Sequence, residues 1–94
     1  MDHGLLPSGL AIQRTTDTFT RSSVPAGLLR AHRVARGVWG RLVVLEGRLR
    51  FVWEEPGADE SLDLVEGDSV VIPPDTLHRV EPGQRCRFAV EFHC

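Results

Sequence analysis

The feature that most constrains this chain is a series of short runs rich in Val, Leu and Ile, divided by turn residues about every eight to twelve positions. Such spacing is typical of an all-β sandwich or barrel. No window of about eleven residues keeps apolar positions three and four apart, as an amphipathic helix would. The sequence therefore predicts an all-β fold, and its 94 residues predict a single domain over 1–94.

The turn residues divide the chain into a set of predicted strands. One or two short, Thr-rich edge strands are expected within 10–20. Further strands are predicted at 28–34, 38–46, 48–53, 61–65, 69–72, 77–81 and 86–93. The strand at 38–46 is apolar on both faces and should be central. Gly47 makes a tight reversal after it, and the last two strands are predicted to form a hairpin across Pro82 and Gly83.

Composition excludes several classes of function. Eleven basic and thirteen acidic residues give a net charge of −2. These charges are interspersed, so the chain lacks the basic field that nucleic-acid binding requires. No apolar run approaches the ~20 residues of a membrane span, and the first residues do not resemble a signal peptide. We expect neither a nucleic-acid nor a membrane partner.

The two cysteines, Cys86 and Cys94, are predicted to be unpaired. On one strand, eight residues at ~3.3 Å each hold them ~26 Å apart. A disulfide tolerates only ~6 Å between Cα atoms. Two free thiols indicate a reducing compartment, and we expect a cytoplasmic protein.

Residues 67–78, Gly-Asp-Ser-Val-Val-Ile-Pro-Pro-Asp-Thr-Leu-His, carry the most informative motif. Gly67 allows the positive φ of a turn, and Pro73 ends a strand because it has no N–H for the ladder. His78 then opens the next strand on the same face as Val80. The segment resembles the second cupin motif, although Asp75 stands where that motif has Gly. Asp tolerates left-handed backbone geometry, so the turn should survive.

The first cupin motif is only half present. Val43 to Gly47, Val-Val-Leu-Glu-Gly, resembles its strand and turn. Cupin enzymes also carry His-x-His and, seven residues before the turn glycine, a Glu. Gly40 occupies that Glu position here. The nearest histidine is His32, which has no second His two residues away.

The chain as a whole resembles a narrower group, the small cupin-like domain of TehB-type tellurite-resistance proteins and of free-standing YeaR-like proteins. The resemblance is carried by residues 25–32, 37–47, 73–78 and 90–92. It implies a cupin-like double-stranded jelly-roll β-barrel, and in that group Gly40 is usual. Methyltransferase chemistry belongs to the other domain of two-part members. This chain has no glycine-rich SAM-binding loop, so that activity is not transferred to it.

His78 and His32 are the candidate metal ligands. In a cupin barrel the two would lie on neighbouring strands and point inward. Structural zinc uses four protein ligands and catalytic zinc three, so two histidines need help from Glu46, Glu91, His93 or water. Strand alternation points Glu91 and His93 outward. A divalent ion, zinc or iron, is the expected cofactor, and a histidine satisfied within the core is the alternative.

Three further residues are candidates for binding a ligand or cofactor. Arg30 offers a planar fork suited to oxyanions. Trp39 can shape a pocket or simply pack, and Glu46 can act on a ligand or simply belong to the turn at Gly47. Glu54 and Glu55 are interpreted as loop charges.

Two hypotheses about function follow. The first is a non-catalytic module that binds a metal ion or small anion inside the barrel, in tellurite, oxyanion or nitrosative stress. The second is a minimal metal-dependent cupin enzyme, a dioxygenase or isomerase, with His32 and His78 on the metal. The sequence leaves open whether the chain is an enzyme. A small antiparallel barrel with an open edge strand is also expected to form a homodimer.

Overall fold

The computed structural model describes residues 1–29, 33–55 and 60–94. The fold over these residues is almost entirely β-structure. Its strands are β1 (Asp2–His3), β2 (Ile12–Thr15), β3 (Phe19–Thr20), β4 (Trp39–Glu46), β5 (Arg48–Trp53), β6 (Ser61–Val65), β7 (Ser69–Ile72), β8 (His78–Pro82) and β9 (Arg87–His93). One 3-10 helix covers Ala26–Leu29.

The strands form two sheets. The larger has the order β1-β7-β4-β9-β2, with β3 also paired to β9, and the smaller has the order β6-β5-β8. β4 lies between β7 and β9, which confirms its predicted central position. Within the described ranges no strand of one sheet pairs with the other, so the sheets do not close into a barrel.

The core lies between the two sheets and follows from strand alternation. The larger sheet contributes alternate side chains of β4, β7 and β9, and the smaller sheet those of β5, β6 and β8. The buried residues of this cluster include Leu42, Val44, Val70, Ile72, Phe88 and Val90 from the first and Leu49, Phe51, Leu64 and Val80 from the second. Burial of this apolar surface is the main favourable term in the folding free energy.

The strand predicted at 28–34 is wrong where the structure describes it. Leu28 and Leu29 belong to the 3-10 helix, in which the Leu28 N–H donates to the Pro25 carbonyl at 2.9 Å. Val34 is buried but lies outside every strand. The alternation of apolar residues is misleading in this segment. A 3-10 turn also packs Leu28 against the core, so an apolar residue at this position does not require a strand. Residues 30–32 lie outside the described part of the chain.

The predicted final hairpin is also wrong. β8 pairs with β5, whereas β9 pairs with β4, β2 and β3. The chain crosses between the sheets after Pro82. It does the same at Gly47, where β4 of the larger sheet leads to β5 of the smaller. A tight turn predicts a reversal of direction, but it does not determine whether the next strand joins the same sheet.

The expectation of a wholly antiparallel fold fails at β1. β1 runs parallel to β7, with Asp2 opposite Ser69 and His3 opposite Val70. A strand of two residues is too short for an alternation signal to reveal it. No helix in the described ranges is long and apolar enough to cross a membrane.

Candidate functional site

A cavity of about 490 Å³ lies between the two sheets. Its walls are the inward-facing side chains of both sheets, and the segment around the 3-10 helix covers one side. Most lining residues are apolar: Phe19, Pro25, Gly27, Leu28, Val34, Leu42, Ile72, Val80, Val90 and Phe92. The polar lining residues are His78 on β8 and a run of four at 14–17. This volume falls within the range of about 300–1,000 Å³ typical of small-molecule sites.

His78 is the buried polar side chain of this cavity, with 2 % of its surface exposed. Its ring stacks on Phe51, with centroids 5.4 Å apart and planes inclined by 14°. Nδ1 lies 3.0 Å from the Thr76 carbonyl oxygen. A carbonyl only accepts, so Nδ1 carries the proton and donates it. In the neutral ring the lone pair is therefore on Nε2.

The backbone before β8 determines the position of His78. Asp75 has a φ of 57°, the left-handed geometry predicted for this position. Its N–H donates to the Val34 carbonyl at 3.0 Å, which ties the turn to a residue that also lines the cavity. His78 and Val80 are both buried on one face of β8, as the alternation predicts.

Glu55 and Glu54 support the start of β8 from the end of β5. The Glu55 carboxylate (Oε1) accepts the Leu77 N–H at 2.8 Å, and the Leu77 carbonyl accepts the Glu54 N–H at 2.9 Å. The Glu54 side chain pairs with Arg79 at 3.1 Å. The interpretation of both glutamates as loop charges is therefore wrong, because they fix the strand that carries His78.

The predicted site residues that the structure describes besides His78 are not gathered around it. Arg30 and His32 lie outside the described residues. Trp39 and Glu46 do not line the cavity. Trp39 alternates with the buried Gly40 and Leu42, which points it to the outer face of β4. Glu46 is exposed and pairs with Arg87 at 3.4 Å.

Glu91 and His93 form a separate polar group on the outer face of the larger sheet. His93 Nε2 lies 3.0 Å from Glu91 Oε1, and Arg41 donates to Glu91 Oε2 at 3.2 Å. Phe88 and Val90 alternate with them and are buried. The outward direction predicted for Glu91 and His93 follows from this alternation.

The described residues do not by themselves complete a metal site. No three His, Cys, Asp or Glu side chains among them converge closely enough to hold an ion. Among the described residues, His78 and Asp17 are the cavity-lining residues whose side chains can ligate a metal.

Arg14 is the cationic member of the polar lining residues at 14–17, which the sequence did not reveal. It lines the cavity and holds its guanidinium carbon 4.8 Å from the centroid of the Phe92 ring. It lies on β2, directly opposite Phe92 in the register with β9. No local motif marks it, because the contact depends on the pairing of two strands far apart in sequence.

A family model for the TehB-like domain matches residues 14–90, which include strands of both sheets and most of the residues that line the cavity. The chain belongs to the TehB-like family. A search of curated protein sequences finds no match to it.

Solved structures agree on this TehB-like fold. A crystal structure of an Escherichia coli K12 protein has a TM-score of 0.86 at 22 % identity, covering 96 % of this chain and 95 % of that one. TehB from Haemophilus influenzae has a TM-score of 0.83 at 24 % identity, covering 93 % of this chain and 32 % of its own. The chain thus spans about a third of that TehB. A Neisseria meningitidis protein has a TM-score of 0.56 at 15 % identity, over 96 % of this chain and 79 % of that one.

Proposed function

We propose that this TehB-like domain is a binding module that holds a small ligand in the cavity between its sheets, with His78 as the contact at the inner wall. The observation that carries the proposal is a buried imidazole on the wall of a cavity of about 490 Å³. Small-molecule sites combine an apolar lining with a few placed polar groups, and His78 is such a group on the wall of this cavity.

The ligand class follows from the polar lining and from kinship. Arg14 supplies a cation on the cavity wall, which favours an anion. Kinship with TehB, together with the resemblance to YeaR-like proteins, makes tellurite and nitrite the first oxyanions to test. The domain would then be a cupin-like jelly roll whose site lies between two facing sheets, in a cytoplasmic protein.

Titration calorimetry of two matched His78 variants tests this module. His78→Asn keeps an N–H near the Thr76 carbonyl but removes the atom at Nε2, whereas His78→Gln places an amide near Nε2. Tellurite, nitrite and short carboxylates are the probes. We expect His78→Asn to weaken binding at least tenfold, with His78→Gln recovering part of it. His3→Ala, at a histidine outside this cavity, is the control. Equal affinity in all four proteins would contradict the proposal.

A second candidate is a minimal metal-dependent cupin enzyme, a dioxygenase or isomerase. The observation that favours it is the hydrogen bond from His78 Nδ1 to the Thr76 carbonyl. Metal-ligating histidines commonly donate their other ring N–H to a carbonyl in this way, so Nε2 would be the ligating atom. His32 would be the second ligand, and bound zinc or iron would act as a Lewis acid or redox centre.

Elemental analysis of protein purified without an affinity tag separates the two candidates. Near-stoichiometric zinc or iron that is lost in both His78→Asn and His32→Asn would support the metal centre. Metal-free protein that still binds an anion would favour the binding module.

We also propose that the domain forms a homodimer through β2, an edge strand. All four residues of β2 are exposed. One of them, the apolar Ile12, has 54 % of its surface exposed. An open edge is a template for pairing with another strand. Light scattering at micromolar concentration should give twice the mass of one chain, and Ile12→Lys should reduce it to that of one chain. A monomeric wild-type protein would contradict this.

A further inference from the structure

We infer that the ligand of the cavity is an organic monoanion, an apolar body ending in one carboxylate, with the carboxylate bound by Arg14. This inference rests on the proposed binding function and names its ligand class. It differs from the inorganic oxyanions suggested by kinship.

The apolar lining among the described residues disfavours a ligand that is small and polar throughout. Of the fifteen lining residues in the described part of the chain, ten bear no polar side-chain group, and they come from both sheets and from the segment above them. An oxyanion of three or four atoms would contact only a small part of a cavity of about 490 Å³. It would also lose its hydration shell without gaining hydrogen bonds from the apolar walls, which is costly. A hydrocarbon body gains by contact with these walls.

Arg14 provides the binding group for the negative charge of the ligand. It is exposed, so its guanidinium lies at the rim and not deep in the cavity. Stacking on the Phe92 ring at 4.8 Å holds the group while leaving its N–H edge available. Within the described ranges Arg14 makes no ion pair, unlike Arg33, Arg41, Arg79 and Arg87.

The other polar groups on the rim limit the ligand to one negative charge. The Thr16 hydroxyl already donates to the Asp17 carbonyl at 2.9 Å and accepts the Val90 N–H at 3.0 Å. Asp17 lines the same cavity, and its negative charge disfavours a ligand that carries more than one anionic group. A single carboxylate on Arg14 is therefore the favoured head group, with the body directed inward past Phe92.

Calorimetry with a homologous series tests the inference. The probes are butanoate, hexanoate and octanoate, the matched alcohol 1-hexanol, and tellurite, each against wild type, Arg14→Gln and Arg21→Gln. Arg21 is an exposed arginine outside the cavity and serves as the control. We expect affinity to rise about fourfold for each added CH₂, and hexanoate to bind about tenfold more tightly than 1-hexanol. Arg14→Gln should abolish that tenfold preference, and Arg21→Gln should keep it.

The outcomes separate this inference from the function on which it rests. Equal binding of hexanoate and hexanol, or an unchanged preference in Arg14→Gln, would overturn the role of Arg14 while the binding cavity stands. Tellurite binding as tightly as octanoate would overturn the organic ligand alone. Absence of binding by every probe would overturn both proposals.

Discussion

Gly47 occupies the most constrained backbone position described in this domain. Its φ is 74°, and a Cβ at this position would lie 2.8 Å from the Arg85 carbonyl oxygen. Gly67 has a φ of 90°, but a Cβ there would meet nothing within 4 Å beyond its chain neighbours. The two glycines share left-handed geometry and differ in the space around them.

Alanine substitutions separate strain from steric overlap. Gly67→Ala should cost only the left-handed strain of about 1–2 kcal/mol. Gly47→Ala should cost a further amount of about 1–3 kcal/mol, because backbone must move to admit the methyl group. Urea unfolding of both variants measures the difference. Equal losses of unfolding free energy in the two variants would show that the connection between the sheets relaxes around a methyl group at residue 47.

Gly40 is a glycine that lies within a strand and faces the core. It lies on the inward row of β4, and a Cβ there would lie 3.4 Å from Ile72 and 3.5 Å from Val34. These are ordinary contacts with apolar side chains that line the cavity. The inner row of β4 therefore packs closely against apolar side chains at this position.

We expect Gly40→Ala to change stability by less than about 1 kcal/mol. Gly40→Glu should cost about 3 kcal/mol or more, because it buries an unpaired charge. Gly40→Gln introduces a side chain of the same size as Gly40→Glu but without the charge, so it separates the two effects on stability. If thermal unfolding finds Gly40→Glu as stable as Gly40→Ala, a cation or a donor must face this position.

At the scale of elements, the turn between β6 and β7 is fixed by Asp68. Its carboxylate accepts one hydrogen bond from the Met1 ammonium at 2.6 Å and another from the Val65 N–H at 2.9 Å. These hydrogen bonds, the Met1 contact foremost, lower the pKa of Asp68 below its ordinary value. Because the folded-state pKa is the lower one, the carboxylate stabilises the fold above pH about 4. This contribution is lost as the pH falls through the folded-state pKa.

Asp68→Asn should therefore be less stable than wild type at pH 7, and the gap should narrow as the pH falls from about 5 to 2. Asp63→Asn, at an exposed position on β6, is the control. Urea unfolding at neutral and at acidic pH measures both. A gap that stays constant with pH would show that the Asp68 charge does not contribute.

The strands themselves were largely predictable. β5, β6 and β7 begin and end where the alternation and the turn residues place them, because those signals are local. The pairing of strands was not predictable in the same way. A short turn after β4 and another after β8 each lead into the opposite sheet. Burial of the inward-facing side chains of both sheets outweighs the pairing of strands that are neighbours in the sequence.

At the scale of the whole molecule, the two thiols report on different parts of the fold. Both are free, as predicted from their separation on one strand. Cys86 is buried, with 1 % of its surface exposed, and this burial raises the pKa of its thiol. Cys94 is exposed. The reactive thiolate is therefore disfavoured at Cys86 and accessible at Cys94.

Ellman's reagent should label one thiol in the native protein and two after unfolding. Cys94→Ser should leave a single slow phase, whose rate follows opening of the core around Cys86. Cys86→Ser should keep the fast phase. Rapid labelling of both thiols in the native protein would show that the last connection opens without global unfolding.

The sequence by itself determined the all-β class, the inward direction of His78, the left-handed turn at Asp75 and the two unpaired thiols. Each depends on alternation or backbone preference within a few residues. Only the tertiary structure decided which strands share a sheet, that a cavity remains between the sheets and that Arg14 lies over Phe92. Those features depend on contacts between segments far apart in the chain, whose partners are selected by the packing of the whole core.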